Sequence, residues 1–128
     1  METGQKTGQM TVTVRNGGKL MINGAIFTFT KGTRIFIEGH SRILRENMIM
    51  RPEMATTPAR QMYLSLQAAF MMPDNELERK ALESLLALRL PTNLHLTWAE
   101  AIGLAKEGRW IDALHHVKSA FEIESAET

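Results

Sequence analysis

The chain has 128 residues, 44% of them hydrophobic and 23% charged, with no cysteine and a formal net charge of +1. That excludes disulfide staples and thiolate metal sites, and it suits a globular chain large enough to bury a core. No run of about 18 apolar residues occurs and the opening METGQKTGQ has no apolar centre, so neither a membrane span nor a signal peptide is expected. Residues 1–9 read as a flexible tail, and the lack of cysteine fits a reducing, cytoplasmic setting. The charge is unevenly placed: residues 1–60 carry nine Lys or Arg against four acids, and residues 61–128 carry six against ten. A basic half beside an acidic half suggests an anionic partner such as nucleic acid, although an unevenly charged solvated surface explains the same counts.

The first fifty residues read as short antiparallel strands. Met10, Val12 and Val14 alternate with Thr11, Thr13 and Arg15, a period of two. Asn16-Gly17-Gly18 is a turn signal, and Asn23-Gly24 is a strong hairpin signal between Lys19–Ile22 and Ala25–Thr30. Lys31-Gly32-Thr33 turns the chain again before a strand over Arg34–Glu38, and Arg42–Met50 reads as one or two further strands. Alternation puts Ala25, Phe27 and Phe29 on one face, so both Phe residues are expected in the core. It sends Ile35 and Ile37 inward and turns Arg34, Phe36 and Glu38 to the other side, unless Phe36 packs under the helices.

The second half is helical. Thr57-Pro58 is a helix start, with Met62, Leu66, Ala69 and Phe70 at helical spacing behind it. Pro73-Asp74-Asn75 ends that helix and caps another, whose stripe is Leu77, Ala81, Leu85 and Leu88, and Pro91 stops it. A third helix starts at a Thr97/Glu100 capping box or nearer Asn93, and ends at Gly108. A fourth runs from Trp110 to Ile123 with Trp110, Leu114, Val117, Ala120 and Phe121 inward. Trp98 and Ala101 with Gly108, Trp110, Ala113 and Leu114 resemble one tetratricopeptide-like unit, but a single copy reads as a local helical hairpin. The expected fold is therefore α+β: a small antiparallel sheet over 10–55, then a bundle of about four helices over 56–128, in one integrated domain.

Catalytic patterns are weak. His115 and His116 are adjacent and so point apart on a helix, and His40 and His95 lack carboxylates at ligand spacing. No phosphate-cradling glycine loop or nucleophile elbow is present. The expectation is a protein with no enzymatic activity, metal or cofactor. The methionines Met48, Met50, Met54, Met62, Met71 and Met72 suit core filling better than a partner groove.

Residues 42–63 are more specific. Leu44-Arg45-Glu46, Ile49-Met50, Pro52-Glu53 and Ala55-Thr56-Thr57-Pro58-Ala59-Arg60 with Tyr63 resemble the FlbT family signature. The hairpin around Leu20, Asn23 and Gly24 and the closing Gly108, Trp110, Ala113 and Leu114 are similar to family elements as well. Departures fall at Asn47-Met48, at Met54 and over Pro91–Leu96. The resemblance implies a post-transcriptional regulator acting at the 5′ untranslated region of flagellin mRNA, with a FlaF-type protein as a companion. Candidate RNA contacts are Arg34, Phe36, Arg42 and Arg45, expected as one surface if the Arg42–Arg45 segment pairs beside the Phe36 strand. Arg60 is a further candidate, in a Thr57–Arg60 segment that is expected to be chiefly structural. The competing expectation is an adaptor that binds flagellin or a FlaF-type protein through its helical half, using the acidic face and the methionines.

Overall fold

The computed structural model describes residues 9–39, 41–72, 74–85 and 89–126, an α+β chain with five strands followed by four helices. Packing divides it into two compact units, Met1–Ile49 and Met50–Thr128. The expected tail lies outside the described residues except for Gln9, which opens the first strand.

The first unit is built on one long hairpin folded in the middle. Its strands are β1 (Gln9–Val14), β2 (Lys19–Ile22), β3 (Ala25–Thr28) and β4 (Thr33–Glu38), with a short β5 (Ile43–Arg45) added later. β1 pairs with β4 and β2 with β3, both antiparallel. The register is common to both ladders: Val14 faces Thr33 where one ends, and Lys19 faces Thr28 where the other begins. Asn23 and Gly24 close the hairpin with φ of 51° and 93°, the left-handed pair that a two-residue turn of matching twist requires. The fold in the middle is made by residues 15–18. Gly17 has φ of 75°, and the Gly18 N–H donates to the Arg15 carbonyl at 2.9 Å, closing a tight turn. Gly17 N–H donates to Phe29 O at 2.6 Å, and Phe29 N–H donates to Gly18 O at 2.9 Å. Two glycines thus oppose one residue, a bulge that bends the strand. Across the bend the Gly32 N–H donates to Asn16 Oδ1.

Folding the hairpin brings Val12 and Val14 against Leu20, with Met10, Ile22, Phe29, Ile35 and Ile37 packed around them. β5 pairs with β2, so the second small sheet has the order β3-β2-β5 and buries Leu20 and Met21 on its central strand. The stretch read as one or two strands is this single strand followed by a 3-10 turn, Glu46–Met48. Phe27 does not join the core. It sits on edge strand β3 and stays 46% exposed, because burial centres on β2, while Phe29 is half-buried.

The second unit holds α1 (Pro58–Phe70), α2 (Asn75–Leu85), α3 (His95–Lys106) and α4 (Trp110–Ala126). α4 packs on both α1 and α3, and its Trp110, Ala113, Leu114, Val117 and Ala120 are buried. Alanines at the contacts let the helices approach closely: Ala59, Ala101, Ala113 and Ala120 have no exposed surface. Phe70 stacks on Trp110 at 5.4 Å between ring centres, and Tyr63 lies 5.8 Å from Phe121. α1 starts as its sequence implies: Thr57 Oγ1 accepts the Arg60 N–H at 3.2 Å. A tertiary cap is added from α4. Glu124 accepts the Thr57 hydroxyl at 2.5 Å and the Ala59 N–H at 2.8 Å, placing a carboxylate at the positive end of α1.

Other details depart from the sequence pattern. In α2 the buried residues are Leu82 and Leu85, whereas Leu77 is 41% exposed; Leu88 lies outside the described residues. Leu85 and the half-buried Ala81 thus keep the expected stripe, Leu82 joins it and Leu77 does not. Thr97 lies inside α3, which follows a 3-10 turn over Thr92–Leu94, so it forms no capping box. α3 ends as expected, with Gly108 N–H donating to Ala105 O and Arg109 N–H to Leu104 O, each at 2.9 Å. The helical hairpin α3–α4 follows at once. Of the six methionines considered for core or groove, Met48, Met50 and Met62 are buried, Met71 and Met72 are half-buried and Met54 is exposed.

Candidate nucleic-acid interface

The β1–β4 ribbon has two unlike faces, which follow from strand alternation. Val12, Val14, Ile35 and Ile37 take the inner one. On the outer face Thr11 lies directly opposite Phe36, and Thr13 directly opposite Arg34. Phe36 is 59% exposed, the largest exposure of any described aromatic ring, and Arg34 is exposed beside it. Small hydroxyl side chains flank the ring, so nothing bulky across the ladder covers it.

A groove of about 510 Å³ lies at the end of this ribbon, where the hairpin folds. Its lining combines the apolar Val12, Val14 and Leu20 with Thr13 and Arg15 from the β1 side, Lys19 from β2, and Arg45 and Glu46 from the segment after β5 begins. Glu46 Oε1 accepts the Lys19 backbone N–H at 3.2 Å, and Lys19 Nζ donates to Thr28 Oγ1 at 3.2 Å. Three basic side chains and one acidic one therefore border a cleft whose remaining lining is largely apolar.

The five candidate residues are distributed unequally. Arg34 and Phe36 share the outer face of the ribbon. Arg42 and Arg45 do not pair beside them, because β5 hydrogen-bonds to β2 and not to β4. The Arg42 backbone is occupied in structure: its N–H donates to Asn23 Oδ1 and its carbonyl accepts the Asn23 N–H, both at 2.8 Å, which pins the hairpin turn. Arg45 is exposed, sits opposite Leu20, and reaches the groove instead. Arg60 belongs to the helical unit, with its guanidinium 4.7 Å from the centre of the Phe121 ring. Its backbone is the one that the Thr57 cap holds. Arg15 and Lys19 were not singled out by the sequence, although the alternation of Thr11 and Thr13 already carries Arg15 onto the outer side. Gln67 was also missed. It is buried and clasps Met50, accepting its N–H at 2.8 Å and donating to its carbonyl at 2.9 Å.

Among the described residues no group of three His, Asp or Glu side chains is placed to hold a metal ion. His116 pairs instead with Glu100 at 2.8 Å, linking α4 to α3. No described helix is long and apolar enough to cross a membrane.

The family model for the flagellar protein FlbT matches residues 10–127, from the first strand through the last helix. The chain belongs to the FlbT family. Relatives named "probable flagellum biosynthesis repressor protein FlbT" include one from Rhizobium johnstonii, 27% identical over 88% of this chain and 79% of its own length. The Agrobacterium fabrum relative is 25% identical over the same shares, and the "probable flagellum biosynthesis repressor protein FlbT 2" of Bradyrhizobium diazoefficiens is 27% identical over 91% and 90%. No solved structure matches the chain. The FlbT relatives carry a regulatory name and not a catalytic one, in keeping with the sparse catalytic chemistry of the sequence.

Proposed function

We propose that this member of the FlbT family regulates flagellar synthesis after transcription, binding the 5′ untranslated region of flagellin mRNA to repress translation or promote decay. The observation that carries the proposal is the outer face of the β1–β4 ribbon, with an exposed Phe36 beside Arg34 and a basic groove at its end. Specific RNA recognition targets unpaired bases that stack on aromatic or guanidinium planes, and a two-stranded ribbon presents both on one surface. The names of the relatives support the regulatory half of the reading, and the ribbon supports the RNA half. A gel-shift series with purified protein and flagellin leader RNA tests it. The expected result is a complex that weakens steeply as salt rises. A leader that is never shifted, even at low salt, overturns it.

The alternative is an adaptor that binds flagellin or a FlaF-type protein through the helical unit. Leu96 is 70% exposed on α3, with Leu77 and Ile123 exposed on α2 and α4. Apolar residues scattered singly over different helices are ordinary on a protein surface, so this reading is the weaker.

A further inference from the structure

The groove and the exposed ring are linked through one cross-strand pair. Thr13 lines the groove and is the cross-strand neighbour of Arg34, and Phe36 lies one residue pair further along the same outer face. A ligand following that face passes from an aromatic ring over Arg34 and Thr13 into the hollow. Arg15, Lys19 and Arg45 line the hollow against one carboxylate, Glu46, one oxygen of which already accepts the Lys19 N–H at 3.2 Å. The geometry has a local cause. Arg15 precedes the Gly17-Gly18 bulge and Lys19 follows it, so the bend carries two cations, one just past the end of β1 and one at the start of β2, into one cleft. At about 510 Å³ the hollow has the size of a small-ligand pocket, roomier than a lone phosphate needs.

We infer that this hollow receives the sugar–phosphate backbone of an unpaired nucleic-acid strand, one of whose bases stacks on Phe36. The inference rests on the RNA reading above and adds to it the path and the residues Arg15 and Lys19. A basic track beside a bare aromatic ring is the combination that holds single strands: cations follow the phosphates, and the ring takes any base. An acidic protein segment needs the cations alone and leaves Phe36 without a role, so the nucleic acid accounts for more of the surface.

The test uses the full chain and a fluorescein-labelled oligouridylate of about ten nucleotides, read by anisotropy between about 50 and 200 mM salt. Arg15→Ala, Lys19→Ala and Arg45→Ala are each expected to reduce the log–log salt slope by about 0.7, the loss of one phosphate contact on a single strand. Phe36→Ala is expected to weaken binding with the slope unchanged. Because Lys19 also bonds to Thr28, Lys19→Arg serves as a second variant and should restore the slope. If the groove variants keep the parent slope while Phe36→Ala still weakens binding, the path through the groove is wrong and the ribbon reading stands. If Phe36→Ala binds as tightly as the parent, or the parent shifts the flagellin leader but does not bind the oligouridylate, the inference is overturned while the leader reading stands; if neither RNA is bound, both fall. Should a polyglutamate peptide bind and be lost in the groove variants while the RNA slope holds, the groove serves an acidic protein segment and the inference is overturned.

Discussion

At the scale of single residues, Tyr63 offers an unusually clean probe, because it is the one tyrosine in the chain. It is 2% exposed and packed against Phe121, and burial pushes its phenol above the usual tyrosine range. The neutral ring is thus favoured by the fold and the phenolate by the unfolded chain. A raised folded pKa gives stability that is fully present below the ordinary phenol value of about 10 and is lost as pH rises beyond it. An absorbance titration should show no phenolate from the native protein near that value, with the signal appearing together with alkaline unfolding. A normal titration from a still-folded protein would show that Tyr63 is open to solvent. Gln67 makes the contrasting point. Its amide holds both polar groups of the Met50 backbone, yet nothing nearby in sequence marks it, since the pairing spans 17 positions. Leaving one such buried group unpaired costs about 1–3 kcal/mol, which explains why a polar residue occupies the inner side of α1.

At the scale of elements, the start of α1 joins a local signal to a distant one. Thr57→Ala removes a side-chain cap and should destabilise the chain by about 1 kcal/mol. Glu124→Ala removes the acceptor of both the Thr57 hydroxyl and the Ala59 N–H, and should cost about 1–3 kcal/mol. Because the two share a hydrogen bond, the double variant should cost less than the separate losses added together. Strict additivity in denaturant melts would show that the Thr57–Glu124 contact is not formed. Thr57 was legible as a cap because Thr-Pro is local grammar; Glu124 was not, because only tertiary packing brings the last helix to the first. The hairpin shows the same division. Each turn signal was where the chain turns, and Ile35 and Ile37 did point inward while Phe36 pointed out. What alternation could not supply was which strands pair. Arg42 and Arg45 were expected beside β4, but β2 had a free edge on its other side and β5 took it. Phe27 was misplaced for a related reason: alternation assigns a face and not a distance from the sheet's edge.

At the scale of the whole molecule, the first unit carries the candidate interface, while in the second the candidate Arg60 lies over the Phe121 ring. The basic excess of residues 1–60 falls on the unit that holds this candidate surface, although it points to a half of the chain and not to a face. The surface that the account depends on is narrower: one exposed ring, its neighbouring arginine and the groove at the fold of the hairpin. Phe27 provides an internal control, being 46% exposed but on the other small sheet. The most direct measurement compares binding of flagellin leader RNA by the parent, Phe36→Ala and Phe27→Ala, with thermal melts confirming that all three fold. The account predicts that Phe36→Ala loses about 1–3 kcal/mol of affinity, the usual worth of one stacked base, with little change in melting temperature, while Phe27→Ala binds as the parent does. Equal binding by Phe36→Ala and the parent, or a loss confined to Phe27→Ala, would contradict it.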